Sequence, residues 1–479
     1  MTREQFDVIV VGAGSGGGVL APRLTDDPSR RVLLIEAGPD FPDELELQPG
    51  FYSGGHQFQH QYVGDHDWGY SSEPLPPENG SRPIRLPRGR LVGGSSMANA
   101  QMFVRAAPFD FDRWQAAGAT AWTWDAVRPC YEAVEQEIHS KRYARSGWQP
   151  LQLAYEEALL GLDYVQRDDM NAPDCWNGVV GATPINRINE VRQGTLVTTI
   201  RKARHRENLT IRPDTLVDRL LLEGGRAVGV RTIGPDGQPR DVHANRVVLC
   251  AGAYGTPAIL MRSGIGPAAH LRSLGIDSVA DLPVGVRLLD HAVCYWFVEN
   301  HALADMRGPS TALIARHRDN DWMSVVTTLD ETQGLCSLKF GTTGDNVGGP
   351  FLLRSSDPTA PPIINHRYDV EQLRSAEQAV HDVLSTEAFK GSRFVDAGRS
   401  FDEIVAERVG TCYHPVGTAP IGAVVDNDLR VLGIDGLMVA DSSIFPDNTM
   451  NNTNLTCYAI GEVAADLIRA GGRPRADRS

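Results

Sequence analysis

The start of the chain follows a strand–turn–helix–strand pattern of apolar and polar positions. Residues 8–11 form a short β-branched run, which is typical of a strand buried on both faces. A glycine-rich turn follows, then a segment with one apolar side, and then a second apolar run at 32–35. This order predicts a parallel β-α-β unit whose turn lies at the carboxyl edge of a sheet.

Later segments return to the same pattern around a middle part that is rich in short strands. Residues 290–405 alternate apolar and polar positions over short runs, which predicts an antiparallel sheet. The chain is therefore expected to combine an α/β part with a second, sheet-based part. The further predicted elements are strands at 208–211, 216–222, 227–232, 246–252 and 436–441, and helices at 109–137, 252–264, 371–384 and 456–470.

The glycines of the first turn carry the first candidate site. Gly12 permits a tight turn, Gly14 lets backbone approach a pyrophosphate, and Gly17 lets the helix pack closely on the strand. Glu36 ends the second strand, where a carboxylate suits the hydroxyls of an adenosine ribose and repels a 2′-phosphate. The pattern therefore favours a dinucleotide site over a plain glycine-rich turn, and the motif alone leaves FAD and NAD both open.

Two further glycine-rich segments can bring backbone close to the same ligand. In the stretch at 88–105, Gly93, Gly94 and Ser95 form a tight loop. The strand predicted at 246–252 ends in Gly252, where a turn begins that leads into a helix N-terminus, which can bind an anion. Each segment alone is also compatible with an ordinary glycine turn.

Charge and composition narrow the classes of partner. The 479 residues include 46 basic and 60 acidic ones, and the net charge of −14 argues against nucleic acid or an anionic membrane surface. No apolar run approaches the roughly 20 residues of a transmembrane helix, and the amino terminus does not resemble a signal peptide. The seven cysteines form no C-x-x-C pair and no metal-ligand cluster, so we expect a cytoplasmic protein without disulfides or a metal.

Six separate stretches of the chain carry a resemblance to a known family. They are, in order, VVGAGSGGGVLA with Glu36, RGRLVGGSSMANAQMFVR, GAYGTPAILMRSGIG, DLPVGVRLLDH, YHPVGTAPIG, and LRVLGIDGLMVADSSIFP followed by NNTNLTCYAIGEVA. Together they resemble the glucose-methanol-choline (GMC) oxidoreductases, FAD enzymes that oxidise alcohols. The third matches the family's second signature at every defined position, and the second departs from the first signature at Ala98, where a larger aliphatic residue is usual. The resemblance spans residues 5–470 and implies FAD rather than NAD.

The resemblance implies cofactor contacts at individual positions. Glu36 and the first glycines would hold the ADP half of FAD, the Val217 backbone would meet adenine, and Asp441 would lie by the ribityl chain and pyrophosphate. The family's covalent members tether the flavin through a histidine at the position of Ala98, so non-covalent FAD is implied. The positions carried over as FAD contacts are Gly12, Gly14, Ser15, Gly17, Glu36, Ala37, Arg88, Gly93, Gly94, Ser95, Asn99, Val217, Ala251, Gly252, Asp441, Asn454 and Leu455.

His414 and Asn454 fall where the family keeps its catalytic pair. Alcohol oxidation needs a base of near-neutral pKa, which histidine provides, and a polar group that holds the hydroxyl near flavin N5. An amide suits the second role because it donates and accepts without titrating. Taken from the residues alone, His414 is also compatible with capping the turn at 413–418, and Asn452 is the next choice after Asn454. The helix beginning near Leu455 would stabilise negative charge on the flavin's N1–C2=O edge.

The implied activity is FAD-dependent oxidation of an alcohol CH–OH group to a carbonyl by hydride transfer to flavin N5. The electron acceptor stays open between oxygen, a quinone and a redox protein, and the sequence does not identify the alcohol. The alternatives are a flavin-containing lyase of the same fold, a non-enzymatic flavoprotein, and a specialised dehydrogenase of reduced mycofactocin. The compact length of the chain is compatible with the mycofactocin-associated branch.

The predicted fold class is α/β (α+β overall). A Rossmann-type FAD-binding domain is expected to carry an inserted substrate domain built on an antiparallel sheet. The predicted boundaries are 1–150, 205–290 and 410–472 for the FAD-binding domain, 151–204 and 291–409 for the substrate domain, and 473–479 for a charged tail.

Overall fold

A computed structural model describes most of the chain and shows two large β-sheets with helices packed around them. The predicted charged tail at 473–479 lies outside the described residues. The described residues are 4–43, 46–47, 49–52, 64–189, 191–318, 322–343 and 348–471.

The strands of the described residues are numbered in chain order. They are β1 (Gln5–Val11), β2 (Val32–Ile35), β3 (Tyr70–Ser71), β4 (Arg85–Leu86), β5 (Val165–Arg167), β6 (Val179–Ala182), β7 (Arg187–Ile188), β8 (Val191–Arg192), β9 (Leu209–Arg212), β10 (Leu216–Glu223), β11 (Arg226–Ile233), β12 (Pro239–Leu249), β13 (Ala292–Glu299), β14 (Leu313–Arg316), β15 (Trp322–Asp330), β16 (Leu335–Thr342), β17 (Phe351–Leu352), β18 (Ile363–Ile364), β19 (Arg393–Phe394), β20 (Gly410–Thr411) and β21 (Leu437–Val439).

The helices follow the predicted positions closely. The predicted helical region at 109–137 divides into two helices, and Gly118 between them has a φ of +106°. The α-helices are α1 (Gly17–Leu24), α2 (Pro49–Tyr52), α3 (Pro108–Ala116), α4 (Trp124–Ile138), α5 (Pro150–Gly161), α6 (Arg201–Ala203), α7 (Gly252–Arg262), α8 (Ala268–Ser273), α9 (Arg374–Leu384), α10 (Phe401–Arg408) and α11 (Asn454–Arg469).

The first sheet has the order β10–β11–β12–β1–β2–β9, and β21 pairs with β12. Strands β12, β1, β2, β9 and β21 run parallel to one another, whereas β11 is antiparallel to β12 and forms the predicted antiparallel hairpin with β10. Val10 lies between Leu34 and Val248 in this register, and all three side chains are buried. An apolar strand in the centre of a parallel sheet, covered by helices, is what the β-branched run at 8–11 predicted.

The second sheet has the order β19–β13–β16–β15–β14–β6–β5, and β20 pairs with β13. Its pairs are antiparallel except β5–β6, which confirms the antiparallel sheet predicted within 290–405. Strands β5 and β6 come from the earlier part of the chain and complete one edge. The two sheets thus draw on interleaved parts of the sequence, as expected for an inserted domain.

The division into domains stays a prediction, and two segments contact a different sheet from the one in their predicted domain. A π-helical segment, Leu196–Ile200, packs on α1, where Thr199 donates its hydroxyl hydrogen to the Gly18 carbonyl at 2.6 Å. It therefore belongs with the first sheet, although the sequence assigned 151–204 to the substrate domain. Conversely, β20 joins the second sheet, although residues from 410 onwards were assigned to the first. Both cases depend on contacts between distant segments, which local patterns do not report.

None of the helices in the described part of the chain is both long and apolar enough to cross a lipid bilayer.

Candidate active site

The first glycine turn follows β1, and its geometry requires glycine. Gly12 has a φ of +100°, and a Cβ there would lie 2.4 Å from the Cys250 carbonyl oxygen. A Cβ on Gly17, the first residue of α1, would lie 2.0 Å from the Gly12 carbonyl oxygen. Gly14 has open space in front of it, with Gly94 Cα the nearest atom at 4.0 Å. The turn therefore offers bare backbone at a helix N-terminus, as a pyrophosphate requires.

Glu36 follows β2 and is buried beside this turn. Its carboxylate accepts the backbone N–H groups of Ala13 at 3.1 Å and Gly38 at 3.0 Å. Burial raises the pKa of Glu36 to about 7, and these donors oppose the rise. Thr215 donates its N–H to the Glu36 carbonyl, which brings the start of β10 and Val217 to the same end of the site. This arrangement fits the expected ribose and adenine end.

The second glycine loop lies directly against the first. Gly93 donates its N–H to the Ala13 carbonyl at 3.0 Å, and a Cβ on Gly94 would lie 2.8 Å from Gly14 Cα. Gly93 and Gly94 have φ values of +101° and +52°, which favour glycine. Two loops about eighty residues apart in the sequence thus form one backbone surface.

Arg88 and Asn99 supply buried donors on the wall beside these loops. Nε and Nη2 of Arg88 and Nδ2 of Asn99 make no hydrogen bond to any described residue, and both residues line the cavity. Buried donors of folded proteins are normally satisfied. FAD carries a pyrophosphate and several carbonyl oxygens that would accept from them, so the residues present fit this cofactor.

Asp441, at the end of the predicted strand β21, joins the third glycine segment to the site. It accepts the Gly252 N–H at 2.8 Å and the hydroxyls of Thr256 at 2.5 Å and Ser443 at 2.6 Å. Burial raises the pKa of this carboxyl, and the hydrogen bonds oppose the rise. The N-terminus of α7 is thereby fixed beside the first two loops.

One continuous cavity of about 490 Å³ connects these loops with the second sheet, a size usual for small-molecule sites. Gly17, Gly93 and Leu455 do not line it; the first two shape the glycine loops, and Leu455 is buried in α11. The sequence-predicted residues that line the cavity are Gly12, Gly14, Ser15, Glu36, Ala37, Arg88, Gly94, Ser95, Asn99, Val217, Ala251, Gly252, His414, Asp441 and Asn454.

The second sheet contributes a wall of the cavity whose individual residues sequence reasoning did not identify. Met323 and Val325 of β15 lie opposite Gly341 and Lys339 of β16, and all four line the cavity. Their spacing of two is the available sequence signal, because alternate residues of a strand share a face. The sequence does not say which face of the sheet covers the cavity.

His414 lies where the glycine loops meet this wall, and its ring contacts two polar side chains. Its Nε2 lies 3.0 Å from Asn452 Nδ2, and its Nδ1 lies 2.9 Å from Nδ1 of the fully buried His291. The cavity is lined by His414 and Asn452, so a ligand there can reach both. The arrangement can hold a hydroxyl between a base and an amide.

The amide that contacts His414 is Asn452, the second choice of the sequence, and not Asn454, the first choice for the catalytic partner. Asn454 is the first residue of α11, and its Oδ1 accepts the hydroxyl hydrogen of Ser15 at 2.7 Å. This contact ties the start of the helix to the first glycine turn. The sequence spacing to Gly461 could not distinguish Asn452, which lies just before the helix, from Asn454, which begins it, because helix ends are uncertain by one or two residues.

The backbone at His414 is held by a buried carboxylate. Asp290 accepts the His414 N–H at 2.8 Å and the hydroxyl hydrogen of Thr411. Burial raises the pKa of Asp290 to about 6, while the hydrogen bonds and the charge of Arg88 oppose the rise. Tyr413, just before His414, has a φ of +65°, a conformation that persists only when its surroundings fix it. Sequence reasoning did not identify Asp290.

Two further expectations concern metals and a covalent tether. Among the described residues no group of His, Cys, Asp and Glu side chains could hold a metal ion. Ala98 lines the cavity, and its methyl side chain has no atom that could form a covalent link to a flavin.

Comparisons with known proteins show the family of the chain. A family model described as GMC oxidoreductase matches residues 6–293, and its C-terminal counterpart matches residues 348–461. An oxygen-dependent choline dehydrogenase from Sinorhizobium medicae is 32% identical, with 97% of this chain and 95% of that protein covered. An uncharacterized GMC-type oxidoreductase of Mycobacterium bovis is 31% identical over 97% of this chain and 99% of its own length.

A solved structure shares both fold and sequence. The crystal structure of pyridoxine 4-oxidase from Mesorbium loti has a TM-score of 0.88 at 28% identity, with 97% of this chain and 99% of that chain covered. The predicted fold class and the predicted FAD cofactor are thereby confirmed. The chain belongs to the GMC oxidoreductases and is an FAD-dependent oxidoreductase.

Proposed function

We propose that this protein oxidises an alcohol CH–OH group to a carbonyl, with His414 as the base. The observation that carries the proposal is the pair of His414 Nε2 and Asn452 Nδ2, 3.0 Å apart at the cavity. A hydroxyl group that lies beside this pair, within hydrogen-bond distance of both atoms, could donate to Nε2 and accept the second hydrogen of Nδ2. Such a placement fixes both the proton to be removed and the carbon that must lose a hydride.

We assign the cofactor contacts by the ends of the cavity. Glu36 and Val217 would bind the adenosine end, and the backbone at Gly12, Gly14 and Gly94 would meet the pyrophosphate. Arg88 and Asn99 would donate to phosphate or flavin oxygens, since their buried donors have no described partner. The chemistry that bound FAD supplies is acceptance of a hydride.

The chain's own part in the reaction is to orient the alcohol and to take its proton. Asn452 would hold the oxygen so that the carbon lies about 3–3.5 Å from the hydride acceptor. His414 would receive the hydroxyl proton on Nε2, while Asp290 keeps its backbone in place through the 2.8 Å hydrogen bond. The first turn of α11, tied to Ser15 through Asn454, would direct free N–H groups at developing negative charge.

The charges that line the cavity favour an uncharged or anionic alcohol as the substrate over a quaternary ammonium alcohol such as choline. The carboxylates among its described lining residues are Glu36 and Asp441, and both accept backbone N–H groups of the glycine segments. Lys339 lies on the wall of the second sheet, where its charge would repel a cation. The choline specificity of the Sinorhizobium relative is therefore not extended to this chain.

The test is the rate of flavin bleaching after anaerobic mixing with a panel of primary, secondary, aromatic and sugar-type alcohols, with reduced mycofactocin included. For an alcohol that bleaches the wild type, His414→Ala should keep bound FAD and reduce the rate at least ~100-fold. His205→Ala, at an exposed histidine, is the matched control. A near-normal rate in His414→Ala would refute the assignment. Admitting air and measuring peroxide then tells an oxidase from a dehydrogenase.

A further inference from the structure

His291 contacts the proposed base through an unusual pair of atoms. Its Nδ1 lies 2.9 Å from His414 Nδ1, and the two rings meet edge to face at 88°. His291 is fully buried and comes from the segment just before β13. Two ring nitrogens at this distance share one proton, so one ring donates and the other accepts.

The position of that proton decides whether His414 can act as a base. If His291 donates, neutral His414 carries its own proton on Nε2 and has no lone pair facing the cavity. If His414 donates from Nδ1, its Nε2 keeps a lone pair toward Asn452 and the substrate. The two neutral tautomers therefore differ in reactivity although their heavy atoms coincide.

The contact with Asn452 selects the second tautomer. Asn452 presents its Nδ2, a donor, to His414 Nε2 at 3.0 Å, so Nε2 accepts and the proton of neutral His414 lies on Nδ1. His291 Nδ1, 2.9 Å away, then accepts that proton, and the proton of neutral His291 lies on its Nε2.

The surroundings keep His291 neutral. Burial is the main cause that lowers the pKa of His291 to about 4. The Thr449 backbone raises this pKa, and the charge of Arg113 lowers it. Asp290, its neighbour in the chain, directs its carboxylate to the His414 backbone and to Thr411. A neutral ring with an unprotonated Nδ1 is a fixed hydrogen-bond acceptor.

We propose that His291 is a positioning residue that accepts the Nδ1–H of His414 and so keeps the reactive lone pair on Nε2. This rests on the function proposed above. In the reaction the alcohol O–H bond breaks and its proton moves to His414 Nε2. The C–H bond breaks with its electron pair, which leaves as hydride to the flavin oxidant, and the C=O bond forms. His414 then carries two protons, and His291 still accepts the one on Nδ1.

Two substitutions of His291 separate this role from simple packing. His291→Leu introduces an apolar side chain of similar size and removes the hydrogen-bond acceptor, whereas His291→Asn places an amide oxygen near the position of the former Nδ1. We expect His291→Leu to bind FAD and to slow flavin reduction at least ~10-fold with little change in the substrate concentration for half-maximal rate. We expect His291→Asn to regain most of the rate.

The pH profile gives a readout that packing alone would not move. An acceptor on Nδ1 stabilises protonated His414, so losing it should shift the half-maximal rate of His291→Leu to lower pH. His291→Asn should return the profile toward the wild type, and His205→Leu should match the wild type throughout. Equal impairment of the Leu and Asn variants, or a wild-type plateau in His291→Leu, would overturn the proposal.

A tautomer measurement keeps the proposal testable if the variants do not fold. In wild-type holoenzyme with ¹⁵N-labelled histidine, assigned by comparison with His414→Gln, we expect neutral His414 to show an unprotonated Nε2 and a protonated Nδ1. The reverse pattern would overturn the inference. This measurement does not depend on activity, so failure of this inference can be told apart from failure of the proposed function. The proposed function fails if no alcohol bleaches the flavin, or if His414→Ala keeps the rate of bleaching.

Discussion

The two candidate asparagines make a direct test of the site, because the structure gives them different partners. Asn452 contacts the His414 ring at 3.0 Å, whereas Asn454 accepts from Ser15 at 2.7 Å. Removing a donor that stabilises developing charge costs about 2.7 kcal/mol, or ~100-fold in rate. We therefore expect Asn452→Ala to lower the limiting rate of anaerobic flavin reduction ~100-fold, measured by rapid mixing, with FAD retained.

Asn454→Ala is the matched control, since it removes the same amide two residues away. Its loss breaks a neutral hydrogen bond worth about 0.5–1.5 kcal/mol between α11 and the first glycine turn. We expect weaker FAD binding and a lower melting temperature, with the reduction rate of the FAD-loaded fraction within a few-fold of wild type. The opposite result, a slow Asn454→Ala and a normal Asn452→Ala, would refute the reading of the site.

Two other predictions concern charge. Burial raises the pKa of Asp290 from 3.8 to about 6, so the folded state holds its proton more tightly than the unfolded state. The free energy of unfolding should therefore fall by about 3 kcal/mol from this group as the pH rises from about 4 to 6. Denaturant titrations of Asp290→Asn at several pH values should show a flatter dependence on pH. An unchanged dependence on pH would contradict the assignment. Lys339→Met should bind choline more tightly relative to an uncharged alcohol, with binding measured as a change in the flavin spectrum. The control Lys390→Met, at an exposed lysine, should not change this ratio. An equal response of both variants would show that Lys339 does not lie at the substrate site.

The local sequence pattern predicted the helices and strands, but it did not predict which side chains contact each other in the candidate site. The strand, glycine turn and helix at 5–24 are specified by neighbouring residues, and the structure has them as predicted. The hairpin of β10 and β11 and the sheet pair of β15 and β16 follow in the same way. These features depend on residue types within a few positions of one another.

What sequence reasoning missed depends on contacts across long stretches of chain. His291 meets His414 over a separation of 123 residues, and the π-helical segment meets α1 over 181. The choice between Asn452 and Asn454 depends on the direction in which the chain enters α11, which a residue count does not give. The assignments of cofactor and catalytic residues remain proposals for the experiments above.

The cavity lies between the two sheets, and its walls come from the glycine loops on one side and from β15 and β16 on the other. A bound FAD would therefore fill space between the two sheets that the side chains of the protein leave open. A ligand that binds only the folded state stabilises that state by mass action, so the folding equilibrium should depend on the concentration of free FAD. We expect the fraction of folded enzyme to rise with the supply of flavin.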